Sequence, residues 1–343
     1  MHKAFAVTAA IALLCLGTLA QAVVIDTVPV GNPGNTADTS AHSGNPAGQG
    51  SVGYAYNIGK YEVTAGQYNE FLNAVAATDT YGLYNTNMWD SPYGCKIQRM
   101  GSSGSYTYSV ASDWANRPVN SVSYWDSCRF ANWLHNGQPA GLQDLTTTED
   151  GTYLINGYNG YDGRTIQRKA GWQWAVTSED EWYKAAYYKG GSTSAGYWDY
   201  PTSSDSMPSN DLGNPTDPGN NATYYSNGYT IGSPYYRTEV GAHENSDSPY
   251  GTFDQGGNVW EWNEAIVYQD ATYAYRGLRG GSFGIIGTGL QASCRNSSYY
   301  YPDNESDYVG FRVSKVVPEP SSLIILGSGI LALAGMIRRK RNG

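Results

Sequence analysis

The stretch from Asp254 to Phe283 constrains this chain more than any other. It reads Asp254-Gln255-Gly256-Gly257-Asn258-Val259-Trp260-Glu261-Trp262 and, further on, Arg279-Gly280-Gly281-Ser282-Phe283. Trp260 and Trp262 stand at i and i+2, so on a strand they share one face and Glu261 points to the other. A carboxylate opposite two indoles, beside a glycine turn, describes a rigid site that is either metal-capable or charge-paired. The plainer alternative is a tight turn feeding a core strand.

The two ends of the chain read as addresses. His2 and Lys3 open a basic start, Ala4 to Ala20 is apolar, and Ala20-Gln21-Ala22 has the small-x-small form of a cleavage site, so 1–22 reads as a secretory signal. The run Ile11–Leu19 is short for a membrane span. At the other end, 316–343 carries Pro318-Glu319-Pro320, the apolar run Leu323–Ile337 and Arg338-Arg339-Lys340-Arg341. That run of 15 residues gives a helix of about 22 Å against a ~30 Å hydrocarbon core, with serines and arginines to extend it. The basic end is expected to stay cytoplasmic. This tripartite pattern resembles the PEP-CTERM sorting signal read by exosortases. The resemblance implies export, membrane retention and processing near Pro318, Glu319 and Pro320; a permanent single-span anchor is the alternative.

Without these ends the body keeps 16 basic and 29 acidic residues, a net charge of −13. Such a surface repels phosphate backbones and excludes nucleic acid as a partner. Cys95, Cys128 and Cys294 remain in the exported body. An oxidising compartment permits one disulfide, and Cys95–Cys128 is the nearer pair in sequence.

Periodicity is sparse. Residues 23–52 are rich in Gly, Asn, Pro, Ser and Thr and read as an extended leader. Val52–Val63 alternates as a strand, and Thr64 caps a helix from Ala65 to about Ala77. Residues 79–117 read mostly as loop. Ser123 or Asp126 starts a second helix. Thr146–Ile155 and Gly163–Arg168 read as a pair of strands. Ser178-Glu179-Asp180-Glu181 is a capping box for a third helix, Glu179–Tyr188. Residues 190–235 have little periodic structure, and 236–315 supply short strands, with Val309–Val313 closing the domain.

Five segments in order carry a second resemblance: Ile58–Thr64, Pro118–Asp126, Thr177–Ala186, the Gly256–Trp262 and Arg279–Phe283 pair, and Gly310-Phe311-Arg312-Val313. Together they resemble the formylglycine-generating-enzyme, or sulfatase-modifying-factor, family. That likeness implies one domain over 53–315 with an α+β, C-type-lectin-like fold low in regular secondary structure.

The family's enzyme oxidises a sulfatase cysteine through two copper-binding thiols, and the positions this likeness assigns to them hold Ile285 and Leu290 here. No copper is expected with neither thiol present, and no iron, because His42, His135 and His243 lie far apart. The resemblance also implies a structural calcium, with the side chains of Asp254 and Glu261 and the carbonyls of Gly257 and Val259 as ligands, a hard-oxygen set. Glu261 paired with an arginine such as Arg279 is the competing expectation. A second family calcium site reads as degraded, with Thr223 in an asparagine position. The chain holds 31 Tyr and 10 Trp, residues that serve binding loops and sugar stacking as well as cores. A ligand groove is expected at Arg279, Ser282, Tyr299, Tyr300 and Tyr301. Three functions follow: a ligand- or glycan-binding module at the envelope, a divergent oxidase acting on sulfatases, or a structural matrix component.

Overall fold

The computed structural model describes residues 22–40, 47–212, 218–296 and 300–317. All but Ala22 of the expected signal segment, and the sorting segment from Pro318 onward with its apolar run, lie outside the described residues. No helix among the described residues is long and apolar enough to cross a membrane.

The element order is β1 (Thr27–Val30), β2 (Tyr56–Gly59), α1 (Ala65–Val75), α2 (Asn87–Asp90), β3 (Ile97–Met100), β4 (Thr107–Val110), α3 (Ser112–Ala115), α4 (Tyr124–His135), β5 (Trp174–Val176), α5 (Glu179–Tyr187), β6 (Trp260–Gln269), β7 (Ala274–Arg279), β8 (Val309–Phe311) and β9 (Val313–Val316). One antiparallel sheet has the order β1-β2-β9-β5. A second, β7-β6-β8, joins β6 to β7 antiparallel and to β8 in parallel. Only Arg312 separates β8 from β9, so the chain crosses from one sheet to the other at that residue.

The expected helix starts are present, each with a reciprocal side-chain cap. Thr64 caps α1 with Gln67, Ser123 caps α4 with Asp126, and Ser178 caps α5 with Glu181. Ser123 and Asp126 thus share the start of α4 as its N-cap and third residue. Every residue of α4 from Tyr124 to Leu134 is buried, as a helix at the centre of a domain must be. Its polar side chains are paired inside. Arg129 holds Glu149 through Nε at 2.6 Å and Nη2 at 3.0 Å, and Asn132 donates to the carbonyls of Thr148 and Tyr153.

That pairing corrects one expectation. Thr146–Ile155 forms turns, because its amides bond inward: Thr147, Thr148 and Glu149 donate to Asp144 O, and Ile155 and Asn156 to Glu149 O. Gly163–Arg168 is likewise not a strand. The region 79–117 also holds more order than expected, including the β3–β4 hairpin.

A second correction concerns 23–52. β1 pairs with β2 over four residues, and Asn35 ties Gly50 O at 2.7 Å and Val52 N at 3.1 Å. Its described residues are a structural edge of the first sheet, built from side-chain staples rather than apolar periodicity. The third correction is the disulfide: Cys95 and Cys128 are free, buried thiols of the main core. Cys95 Sγ faces Asn120 O at 3.9 Å, and burial pushes the Cys128 thiol up to about 12. Both act as small apolar side chains.

Candidate functional site

Glu261 emerges on β6 between two indoles, as its spacing predicts, and is fully buried. Its partner is not Arg279, although the two face each other in register across β6 and β7. Arg312 takes it instead, with Nε at 2.6 Å from Oε2 and Nη2 at 2.6 Å from Oε1, while Trp182 Nε1 donates to Oε2 at 2.7 Å. The remaining guanidinium donors reach Gly59 O and Phe253 O, both at 3.0 Å. Burial disfavours the Arg312 charge, yet the attraction of Glu261 outweighs it and moves its pKa upward. This knot ties both sheets and α5 together.

Arg279 turns the other way. Its Nε donates to Glu179 Oε1 at 2.8 Å and its Nη1 to the carbonyls of Ala292 and Cys294 at 3.0 and 2.8 Å. Arg279 and Ser282 are both buried, so neither lines a groove.

Of the implied calcium ligands, the two carboxylates are engaged within the protein. Both oxygens of Glu261 are engaged, and its charge is matched by Arg312. Asp254 stands at φ +60° and accepts the Gly241 amide at 2.6 Å. Burial pushes its carboxyl up to about 6. Glu62 lies close enough for the two charges to repel, is buried, and both its oxygens lack a hydrogen-bond partner; burial and Asp254 push its pKa well up. Among the described residues no group of three or more His, Cys, Asp or Glu is arranged to hold a metal. At the second site, read as degraded, Thr223 Oγ1 meets Thr238 Oγ1 at 2.9 Å and His243 Nε2 at 3.1 Å, a cluster of hydroxyls and an imidazole.

The half-exposed counterpart of the knot is an aromatic face built on Phe283. Gly280 turns the chain at φ +97°, where a Cβ would meet Gln255 O at 2.8 Å, and the Phe283 amide bonds back to Asn258 O at 2.9 Å. Tyr308 stacks on the buried Phe283 ring at 4.9 Å and 20°, and Tyr93 lies 5.7 Å away. Tyr236 meets Tyr93 at 4.8 Å and Tyr229 at 5.0 Å, and Tyr225 extends the row at 5.1 Å from Tyr229. Arg237 lies 5.8 Å from the Phe283 ring and is wholly buried, which lowers its pKa to about 10. Tyr225 and Tyr229 are each 38% exposed, so rings and hydroxyls are offered to solvent over a fixed base.

Sequence reading missed this face. Its rings come from positions 93, 225, 229, 236, 283 and 308, and only the tyrosine density of the irregular 224–236 stretch hinted at it. The expected tyrosine run fares differently. Tyr299 lies outside the described residues. Tyr300 packs edge-on against Trp262 at 6.1 Å, and Tyr301 joins Tyr161, Tyr273 and Tyr275 at 4.9–5.4 Å, both half-buried.

Ile285 and Leu290 do come together. A Cβ at Gly281 would touch Ile285 Cγ2 and Leu290 Cδ1, each at 3.0 Å, and Leu290 is fully buried with Tyr200, Ala222 and Tyr224. The loop between them contains a short 3-10 turn, 287–290. His135 closes α4 and accepts the Gln173 amide at 3.0 Å, a structural contact.

Comparison with known proteins bears on the family, the fold and the sorting motif. A model of the PEP-CTERM protein-sorting motif matches residues 316–341, which implies recognition by exosortase-type machinery, export and C-terminal anchoring. A search of curated proteins finds no match. Among solved structures, the crystal structure of CarF has a TM-score of 0.53 at 18% identity, covering 86% of this chain and 99% of CarF. Treponema denticola variable protein 1 has a TM-score of 0.53 at 18% identity, covering 87% of this chain and 97% of that one. These likenesses are of fold. The model of the sulfatase-modifying factor enzyme 1-like domain matches residues 18–317, and the chain belongs to that family.

Proposed function

We propose that this protein is a surface-sorted binding module that uses the sulfatase-modifying factor scaffold without its oxidase chemistry, and that it holds an extracellular ligand, a glycan in the first instance, on the Phe283 aromatic face. The observation that carries this is the row Tyr225, Tyr229, Tyr236 and Tyr93 around Phe283 and Tyr308, half-exposed over a buried base. Tyrosine presents a flat apolar ring and a hydroxyl at small entropic cost, which suits stacking against a sugar ring. Beside that face, Ile285 and Leu290 give hydrocarbon where the family resemblance puts thiols, and hydrocarbon cannot ligate copper.

The test is a glycan-binding screen of the mature chain, with its metal content measured alongside. Binding lost in Tyr229→Ala and Tyr236→Ala, with no copper at stoichiometric level, is the expected result. Tight stoichiometric copper would overturn the non-oxidase reading, and concentration-dependent self-association without any ligand would favour a matrix component.

A further inference from the structure

A cavity of about 310 Å³ that shares no lining residue with the Phe283 face lies between the 36–40 segment, the 194–199 turn and Ala292. Its size is at the small end of the roughly 300–1,000 Å³ range of ligand sites. The lining is polar and aromatic together: Trp198 and Tyr197, the carboxylates of Asp38 and Asp199, and the hydroxyls of Thr36 and Ser194.

These groups are held in place by contacts that cross the fold. Asp38 accepts the Tyr183 hydroxyl from α5 at 2.7 Å and the Ser40 amide at 2.8 Å. Tyr197 Oη donates to Thr36 O at 2.8 Å and accepts from Asn35 Nδ2 at 2.9 Å, which locks the 35–36 segment against the 197 turn. The Asp199 carbonyl takes the Ala292 amide at 2.8 Å. Lys189 Nζ stands 4.1 Å over the Trp198 ring and 3.9 Å from Asp205.

The chemistry narrows the ligand. Two carboxylates in the lining repel phosphates and carboxylates. The cation position over the indole is already filled by Lys189, which disfavours an ammonium ligand there. What remains is a neutral molecule with several hydroxyl donors and a flat apolar side, which is a sugar ring. We propose that this cavity is a carbohydrate subsite for a single neutral sugar residue, with the Trp198 ring face away from Lys189 as its stacking wall and Asp38 and Asp199 as hydroxyl acceptors. The proposal rests on the binding-module reading and deepens it, since it puts a glycan contact at a second place on the same domain.

The test uses the mature chain and the methyl glycosides of glucose, galactose, mannose and N-acetylglucosamine as probes. Saturation-transfer NMR reads contact, and tryptophan fluorescence titration reads affinity. A lone sugar residue should bind in about the millimolar range. Trp198→Ala should weaken it at least ~10-fold, the loss of one ring stack and its area, while Asp199→Asn should weaken it less. Leu145→Ala, at an exposed side chain outside both places, should leave it unchanged. Transfer lost in Tyr229→Ala but retained in Trp198→Ala would overturn the subsite and keep the glycan reading for the Phe283 face. No transfer to any of the four glycosides, or preferential binding of tetramethylammonium, would overturn the subsite outright. Amide chemical shifts outside the 194–199 turn guard against misfolding: widespread change in Trp198→Ala moves the decision to Asp199→Asn and to Thr36→Val.

Discussion

The two glycine-rich halves of one motif meet opposite fates. Asn258–Trp262 sinks into the domain, where Glu261, Arg312 and Trp182 match one another and the two sheets are tied. Arg279–Phe283 begins in the same interior, with Arg279 fixed to Glu179, and ends at Phe283, the buried base of a half-exposed aromatic row. One half spends its charged groups on framework; the other frees its neighbours for contact with solvent. The charged residues that look most like chemistry in the sequence are structural, and the exposed face is made of uncharged rings.

The sharpest way to break this contrast is to uncouple the knot. Glu261→Gln keeps the shape and the Trp182 contact but takes from the buried Arg312 charge the carboxylate that pairs with it directly. It should destabilise the fold by about 3–5 kcal/mol in urea unfolding, the cost of breaking a buried pair from one side. A change under about 1 kcal/mol would show that the pair is dispensable.

A smaller effect separates Asp254 from the knot. Its folded pKa is raised to about 6 by burial, above the ordinary carboxylate value, so the native state holds a proton that the unfolded chain has lost. Its contribution to stability is therefore fully present below about pH 4 and is lost as pH rises through about 6. Asp254→Asn should remove this dependence and gain on wild type by up to ~2 kcal/mol between those pH values. Parallel pH profiles for the two proteins would contradict it.

The smallest stability effect belongs to the face. Tyr229→Ala should move the melting midpoint little, within about 0.5 kcal/mol, because the ring is half-exposed and the Phe283–Tyr308 stack persists. A loss as large as that of the knot would make Tyr229 a framework residue and erase the distinction between the two regions.

Much of the fold was legible. Thr64, Ser123 and Ser178 announce their helices because a cap needs only a hydroxyl and a partner three residues on. The alternation around Trp260 correctly put Glu261 opposite two indoles. The candidate site was less legible. Arg279 looked accessible beside glycines, but Glu179 and two carbonyls claim it. The 23–52 segment looked like a leader, since strand β1 is only four residues and the asparagine staple at Asn35 has no periodic signature. The tyrosines of the Phe283 face gave no pattern, because irregular segments have no period to read.

The sequence by itself determined what depends on neighbours within one or two turns: the helix caps, the strand around Trp260, the hydrocarbon at 285 and 290, and the family and sorting signatures. Tertiary structure alone decided the pairings. Glu261 and Arg312 lie 51 residues apart, and Arg279 and Glu179 lie 100 apart. Sequence spacing cannot choose between two arginines for one buried glutamate. Sheet register and the side from which each guanidinium enters the core make that choice, because a buried charge is tolerated only where its partner is already in reach.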